Sequence, residues 1–246
     1  MAMNYGPALV TDGLQVLLDA SDRNSYPGSG TSWIDLASSI NFNNSFYTYP
    51  SFSADKRGCF VFVNDGITSN NIYPSSISID TYNQTQYTRI GAFNATTFSD
   101  GWSPVIQNVI GNNSDMGLTL TDTGKIMYRQ YTRTQSSGTS DGDFGVVSTN
   151  ATLSTNTWYV VAMVVNIPSQ YVYFYINGIL DSAVSIGRVI GNSASNSIVI
   201  GGAAADSYSG TRMFKGKIAM ASHYNRMLTD QEIRQNYLAI KSRYGL

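Results

Sequence analysis

The side chains that most often perform catalysis are scarce in this sequence. The 246 residues include one histidine, His223, one glutamate, Glu232, and one cysteine, Cys59. A glycosidase needs two facing carboxylates, and Glu232 lies three residues after Thr229 in a Thr-x-x-Glu pattern that predicts a helix capping box. His223 lies in a strand-like run without the nucleophile elbow of a Ser-His-Asp enzyme. The sequence predicts no catalytic residues and no enzymatic activity; two aspartates assembled from distant loops are the remaining route to glycoside hydrolysis.

Metal and nucleotide chemistry leave one candidate, a calcium ion. One histidine and one cysteine cannot supply the usual ligands of zinc, and neither Gly-rich nucleotide motif is present. Calcium needs only oxygen ligands, which Asp141 and Asp143 could provide on either side of Gly142. The alternative is that Asp-Gly simply forms a turn. We therefore expect no cofactor, with calcium at Asp141 and Asp143 as the alternative.

Tyrosine is the residue type that points to binding. The chain has 17 tyrosines, whereas charged residues make up only 13% of it. Tyrosine adds a large apolar area and a hydroxyl group at low entropic cost. Tyr47 with Tyr49, and Tyr128 with Tyr131, are candidates to stack on sugar rings or to pack against a protein neighbour, and His223 is a candidate binding contact. Packing in the core or in a loop is the alternative for each.

Short strand-like runs, bounded by Gly, Asn, Asp or Ser, must position these side chains. The runs are rich in Val, Ile, Tyr, Phe and Thr. They are Leu14–Ala20, Cys59–Val63, Thr88–Asn94, Val105–Ile110, Gly117–Thr121, Lys125–Tyr131, Thr157–Asn166, Gln170–Ile176, Ile179–Val184, Ser197–Ile200 and Lys217–Tyr224. No helical pattern falls between them, which excludes βαβ units. The sequence predicts an all-β fold, a two-sheet antiparallel jelly-roll β-sandwich.

One pair of these runs predicts a hairpin. Asn177-Gly178 separates residues 170–176 from residues 179–184, and Asn-Gly in that position favours a type I′ turn. Alternation then puts Val172 and Phe174 on the core face. Tyr171, Tyr173 and Tyr175 point the other way, so that this tyrosine face either packs under a loop or meets a partner.

The C-terminal residues change period and predict one short helix over residues 229–244. Its capping box is Thr229 with Glu232, and Gly245 supplies the stop. Residues 41–53 and 132–148 are predicted as loops. We expect an N-terminal arm over residues 1–12 and a single jelly-roll domain over residues 13–246 that includes the helix.

The charge and hydropathy patterns exclude two classes of partner. A net charge of −1 lacks the basic excess that nucleic-acid binding requires. No run of 18 apolar residues is present, so we expect no membrane span. The first residues, MAMNYGP, lack the basic and apolar regions of a secretory signal, so we expect no signal peptide.

Blocks of sequence near both ends resemble the laminin-G-like, concanavalin A-like jelly-roll proteins that are common in tailed phages, especially those of aquatic bacteria. The N-terminal block is GPALVTDGL at 6–14, LLDA at 17–20 and SYPGSGTSWIDL at 25–36. The C-terminal block is IVIGG at 198–202, FKGKIA at 214–219 and YNRMLTDQEI at 224–233. Between them, Trp158 and the Asn177-Gly178 hairpin correspond to the central hairpin of that family.

The resemblance implies a virion structural protein that acts through protein–protein contacts, as a capsid decoration, cement or head-fibre subunit. Its partners would be other virion proteins, with a homo-oligomer expected because virion surfaces are symmetric. Its location would be the virion, which assembles in the host cytoplasm. The alternative is a lectin-like adhesin of the tail that binds a host surface glycan.

Overall fold

Antiparallel strands make up most of the molecule, and one helix follows them at the C-terminus. The computed structural model describes residues 7–44, 48–63, 71–74, 84–98, 102–110, 113–133, 140–186, 197–202 and 213–246. The strands of these residues are β1 (Leu14–Asp19), β2 (Trp33–Ile34), β3 (Asn41–Asn44), β4 (Ser51–Ser53), β5 (Cys59–Phe62), β6 (Tyr73–Pro74), β7 (Gln86–Ala95), β8 (Trp102–Ile110), β9 (Asn113–Thr121), β10 (Ile126–Arg133), β11 (Ser140–Val147), β12 (Trp158–Asn166), β13 (Tyr171–Ile176), β14 (Ile179–Ser185), β15 (Ser197–Ile200) and β16 (Gly216–Tyr224). The helix α1 is Asp230–Tyr244.

Two large antiparallel sheets form the sandwich that the sequence predicts. The first sheet has the order β14-β13-β12-β7-β16-β5-β4, and β1 also pairs with β16. The second sheet has the order β11-β10-β9-β8-β15, and a small third sheet contains β2, β3 and β6. The predicted jelly-roll β-sandwich with one C-terminal helix is confirmed.

The main core lies between the two large sheets. Strict alternation along β12 sends Val161, Met163 and Val165 towards it, together with Phe174 of β13. Leu120 of β9 is among the fully buried side chains that the second sheet contributes. The buried apolar area drives the two sheets together.

The opposite face of the first sheet is covered by α1. Val160 and Ala162 of β12 pack in a second core cluster with Ile233 and Ile240 of the helix. The predicted capping box is present, because the side chain of Thr229 accepts a hydrogen bond from the backbone N–H of Glu232, whose side chain accepts one from the backbone of Thr229. Gly245 ends the helix in the left-handed conformation, as predicted.

The predicted β13–β14 hairpin is also confirmed. Asn177 and Gly178 have φ values of 51° and 74°, as a type I′ turn requires. The turn is held down on both sides: the Asn177 side chain accepts a hydrogen bond from Val160 N over 3.0 Å. A Cβ atom on Gly178 would lie 2.8 Å from the Tyr237 ring. The hairpin tip therefore packs directly under α1.

The structure corrects two loop predictions. Residues 41–53 contain β3 and β4, and residues 132–148 contain β11 together with the end of β10. These strands are polar or rich in glycine, so their own sequences carry little strand preference, and pairing with neighbouring strands decides their conformation.

The end of the predicted N-terminal arm contacts the chain's own helix. Val10 N donates to Asn236 Oδ1 over 2.8 Å, and the Tyr224 hydroxyl donates to Val10 O over 2.9 Å. The Gln235 amide donates to Ala8 O over 2.8 Å. Residues 8–10 therefore help to fasten α1 to the sandwich.

Candidate functional site

A row of three tyrosines lies on the outer face of the first sheet, near its edge. Alternation along β13 buries Val172 and Phe174 in the main core and turns Tyr171, Tyr173 and Tyr175 towards the face that carries α1. Burial increases along the row: Tyr171 is 41% exposed, Tyr173 is half-buried and Tyr175 is buried. The rings of Tyr171 and Tyr173 lie 6.2 Å apart. One end of this face therefore packs under the helix, where a loop was predicted, and the other end is exposed; contact with a partner stays a prediction.

A groove, here called the tyrosine groove, runs between this row and the start of α1. Its volume is about 490 Å³, which falls within the usual size range of small-molecule sites. The described residues that line it come from β12, β13, β14 and the start of the helix. They are Val164, Tyr173, Tyr175, Leu180, Met227, Leu228, Thr229, Asp230 and Gln231. Most of the wall is apolar or aromatic, and polar groups lie at the helix end.

Asp230 supplies the charge of the tyrosine groove. The hydroxyl of Tyr175 donates to Asp230 Oδ1 over 2.6 Å. Burial raises the pKa of Tyr175, and the adjacent carboxylate raises it further. The phenol therefore stays protonated at neutral pH and fixes the position of the carboxylate. Asp230 itself is exposed and lies in the first turn of α1, where a negative charge is favourable.

The outer wall of the tyrosine groove is the edge strand β14. Ile179 and Leu180 are 64% and 45% exposed, which is unusual for large aliphatic side chains at adjacent positions. Further along β14 residues 149–151 lie beside the strand: Ala151 N donates to Asp181 Oδ1 over 2.7 Å, and Thr149 N donates to Ser182 Oγ over 3.2 Å.

The structure separates the tyrosines that the sequence singled out. Tyr49 is half-buried; its ring lies 5.8 Å from that of Phe60, and its hydroxyl donates to Phe42 O over 3.1 Å. Tyr128 is fully buried in the main core, so it offers no ring face to a ligand. Tyr47 lies outside the described residues, and only the backbone of Tyr131 is described.

The calcium prediction stays a prediction. The backbones of Asp141 and Asp143 belong to β11, and Asp143 lies opposite Tyr131 of β10. The side chains of these three residues are outside what the structure describes. Among the described residues, no group of three His, Cys, Asp or Glu side chains could hold a metal ion.

His223 is fully buried within a polar cluster between the sheets. Arg89 Nε donates to His223 Nδ1 over 3.4 Å, and His223 Nε2 pairs with Gln84 Oε1 over 2.8 Å. Desolvation lowers the pKa of His223 far below its usual range, and the Arg89 guanidinium lowers it further. The ring is therefore neutral, and its burial gives it a structural role.

Sequence reasoning identified the tyrosine face of β13 but missed Asp230 and Leu180. Asp230 is the first residue of the predicted helix, directly after the Thr229 cap, and this position was its available signal. Leu180 showed no signal of its own, because its exposure depends on how the hairpin packs against α1.

The comparisons with known proteins agree with this architecture. The family model of the concanavalin A-like lectin/glucanases superfamily matches residues 65–234. The chain belongs to this superfamily. No curated protein matches the sequence. Within the described residues, no helix has the length and apolar character needed to cross a bilayer.

Solved structures share the superfamily fold at low identity. A Trypanosoma rangeli sialidase in complex with the inhibitor DANA has a TM-score of 0.61 and 16% identity, over 94% of this chain and 33% of the sialidase. A structure of botulinum neurotoxin type C, studied for its interaction with two ganglioside molecules, has a TM-score of 0.66 and 11% identity, over 93% and 51%. The binding domain of Paraclostridial Mosquitocidal Protein 1 has a TM-score of 0.63 and 15% identity, over 92% and 52%. The chain thus spans about a third of the sialidase and about half of each toxin structure.

The one glutamate of this chain bears on catalysis, because the superfamily contains both lectins and glucanases and glycoside hydrolysis uses carboxylates. The Glu232 carboxylate accepts hydrogen bonds from Arg226 Nη2 over 2.6 Å and from Arg226 Nη1 over 3.0 Å, in addition to its capping contacts. The hydrogen bonds from Arg226 lower the pKa of Glu232 to about 2, with Thr229 contributing. A general acid needs a raised pKa, so the environment of Glu232 does not suit it to that role.

The replacement Glu232→Gln tests this structural role. Glutamine can still cap the helix but cannot pair electrostatically with Arg226, so we expect the free energy of unfolding at pH 7 to fall by about 1 kcal/mol. Because the folded pKa lies below the unfolded value, the charge stabilises fully above pH 4.5, and its effect is lost as the pH falls towards 2. Urea titrations across this range should show the two proteins converging. A gap that stays constant with pH would contradict the assignment.

Proposed function

We propose that this protein is a non-catalytic carbohydrate-binding module. The observation that carries the proposal is the tyrosine row of β13, where Tyr171 and Tyr173 expose adjacent rings beside a groove edged by Asp230. A sugar ring has an apolar C–H face and polar hydroxyl edges. Tyrosine matches both, because it combines an apolar ring with a hydrogen-bonding hydroxyl group.

The groups available for catalysis favour binding over hydrolysis. Glu232 is held ionised by Arg226, and His223 is buried. A tyrosine nucleophile, which sialidases use, would need a lowered pKa or an adjacent base that takes its proton. Tyr175 is next to Asp230, but its pKa is raised and its ring is buried.

The comparisons support a binding role only at the level of fold. The structures of T. rangeli sialidase include a complex with sialic acid, and that of a botulinum neurotoxin DC binding domain is in complex with SialylT. These ligands belong to those proteins, whose identities to this chain are 16% and 13%. For this chain, carbohydrate binding is our proposal and rests on its own tyrosines.

A second candidate function is a phage virion surface protein that works through protein–protein contacts. The exposed Leu180 beside the apolar wall of the tyrosine groove favours it, because exposed apolar patches mark interaction surfaces. The partners would then be other virion proteins or further copies of this chain, in a particle assembled in the host cytoplasm. Mass spectrometry of purified particles tests this candidate, and absence of the chain from them would refute it.

A glycan array followed by calorimetry tests the carbohydrate proposal. We expect binding to at least one oligosaccharide class and a loss of at least about tenfold in affinity in Tyr173→Ala, since aromatic contacts dominate small binding sites. The control is Tyr159→Phe, which changes a tyrosine that packs against the main core, on the opposite face of β12 from the groove. Arrays with calcium and with chelator test Asp141 and Asp143 as calcium ligands. No binding to any glycan up to millimolar concentration would overturn the proposal.

A further inference from the structure

The tyrosine groove has a charge pattern that bears on which sugars it accepts. We propose that it binds uncharged oligosaccharides and discriminates against sialylated and other acidic ones. This inference rests on the proposed function, because it specifies the ligand class of the same site. It separates the chain from the fold neighbours whose structures contain sialic acid or sialylated ligands.

The apolar surface of the groove fits the flat face of a sugar ring. Val164 and Leu228 are buried beneath the site, while Tyr173, Leu180 and Met227 form surfaces that remain partly exposed. Tyr171 extends this surface along β13, 6.2 Å from Tyr173. Two successive rings of an oligosaccharide can therefore contact two successive tyrosines, and both side chains are already ordered on a strand. Prior ordering reduces the entropic cost of binding.

The polar edge of the groove supplies acceptors at a fixed place. Asp230 Oδ1 accepts the hydroxyl of Tyr175, which orients the carboxylate. Within the described part of the chain no hydrogen bond uses Asp230 Oδ2, which leaves that oxygen to accept a hydroxyl of a bound sugar. Charge-assisted hydrogen bonds of this kind are stronger than neutral ones. The neighbouring Gln231 adds an amide that can both donate and accept.

The charge of the groove disfavours an acidic ligand. Asp230 is the one charged residue among the described residues that line it, and no Lys or Arg is among them. The nearby Arg226 is already paired with Glu232 and Asp12. The N-terminus of α1 favours a negative charge there, and Asp230 already supplies one. A sugar carboxylate would add a second negative charge beside it with no lining Lys or Arg to offset the repulsion, which we expect to weaken binding about five- to tenfold.

A sugar fits this site better than a peptide that adds a strand to the sheet. Strand addition requires the free backbone groups of an edge strand, and β14 is that edge. Residues 149–151 already occupy part of it: the Asn150 amide donates to Asp181 O, and Thr149 N and Ala151 N donate to the side chains of Ser182 and Asp181. A peptide strand added along β14 would have to displace these contacts, whereas a sugar in the groove leaves them in place.

A matched pair of oligosaccharides tests the inference. Calorimetry would compare one tetrasaccharide ending in galactose with the same tetrasaccharide carrying a terminal sialic acid, for wild type, Tyr173→Ala, Asp230→Asn and Tyr159→Phe. We expect wild type to prefer the uncharged sugar about five- to tenfold. Asp230→Asn should reduce this preference to less than about twofold, because asparagine keeps an acceptor and loses the charge. Tyr173→Ala should weaken the binding of both sugars at least about tenfold, and Tyr159→Phe should match wild type.

The outcomes separate this inference from the function on which it rests. Equal or tighter binding of the sialylated sugar by wild type would overturn it while glycan binding stood, as would full affinity in Tyr173→Ala. If no glycan on the array bound the protein, the proposed carbohydrate-binding function itself would be wrong. A dimer in sedimentation that Leu180→Ser abolishes would assign the groove to a second copy of the chain and also overturn the inference. Thermal unfolding of each variant confirms that the compared proteins are folded.

Discussion

Replacing Arg243 by leucine is expected to lower the free energy of unfolding by about 3–5 kcal/mol, because it leaves a buried carboxylate without its cation. Arg243 Nη1 contacts Asp19 Oδ2, and the Asp19 side chain is 5% exposed. This contact joins the last turn of α1 to β1. Ser21 N and Ser21 Oγ also donate to Asp19, over 3.0 and 2.7 Å, but neutral donors cannot replace the guanidinium charge.

The substitution Asp19→Asn should lower the free energy of unfolding less than Arg243→Leu does. The Arg243 side chain is 23% exposed, so after Asp19→Asn its charge can be solvated by water. The double variant Asp19→Asn/Arg243→Leu should therefore be more stable than Arg243→Leu alone, because it no longer buries an unpaired charge. Urea denaturation of the four proteins completes the cycle.

An exposed ion pair of the same type provides the control. Lys217 Nζ and Asp55 Oδ2 lie 2.8 Å apart, with both side chains 37% exposed. Exposed pairs contribute little, so Lys217→Ala should cost less than about 1 kcal/mol. Equal losses for Lys217→Ala and Arg243→Leu would show that burial does not decide the contribution of these pairs.

The parts of the fold that could be predicted from the sequence are those with local signals. Thr229 and Glu232 cap a helix through contacts three residues apart, and Asn177-Gly178 forms its turn within a few residues. The strand β11 shows the opposite case. Its sequence SDGDFGVV contains residues that favour turns, and it is a strand because β10 provides a ladder of partners from Met127 to Arg133.

The candidate site divides in the same way. Alternation in β13 marks Tyr171 and Tyr173 as facing away from the core, and the period-2 pattern of β10 groups Tyr128 with the apolar Ile126, on the buried side. The same pattern argues against Tyr128 as a binding residue, because it places the side chain in the core. Asp230 reaches the tyrosines only because α1 packs across the first sheet, a tertiary contact spanning 55 residues from Tyr175, and no local pattern specifies such a contact.

A large loss of stability is also expected at mildly acidic pH, and it arises from His223, the one histidine of the chain. We expect the free energy of unfolding to fall as the pH falls from 7 to 5, by up to about 2 kcal/mol at pH 5. In the unfolded chain His223 titrates near pH 6.5, whereas burial and Arg89 hold its pKa far lower in the folded protein. Below pH 6.5 the unfolded state therefore binds more protons than the native state, and stability is lost as the pH decreases.

The contacts of the ring explain why protonation is unfavourable. Nδ1 accepts a hydrogen bond from Arg89 Nε, so a proton on Nδ1 would remove that bond and bring two cations together in a buried site. Arg89 itself is fully buried; it also donates to Asn108, and its guanidinium lies 5.1 Å from the centre of the Tyr87 ring. Both side chains are fully buried, so solvent screens the second charge poorly and the repulsion is strong.

A variant at this one position isolates the effect. In His223→Gln the side chain can still accept from Arg89 and donate to Gln84 but does not titrate, so its stability should be flat between pH 7 and 5. Urea midpoints measured across this range test both proteins, and the histidine proton resonances of folded wild type should not titrate above pH 5. The interval from pH 7 to 5 lies above the range in which carboxylates such as Glu232 are protonated. The same loss of stability in both proteins would assign it to another group and contradict the buried neutral state of His223.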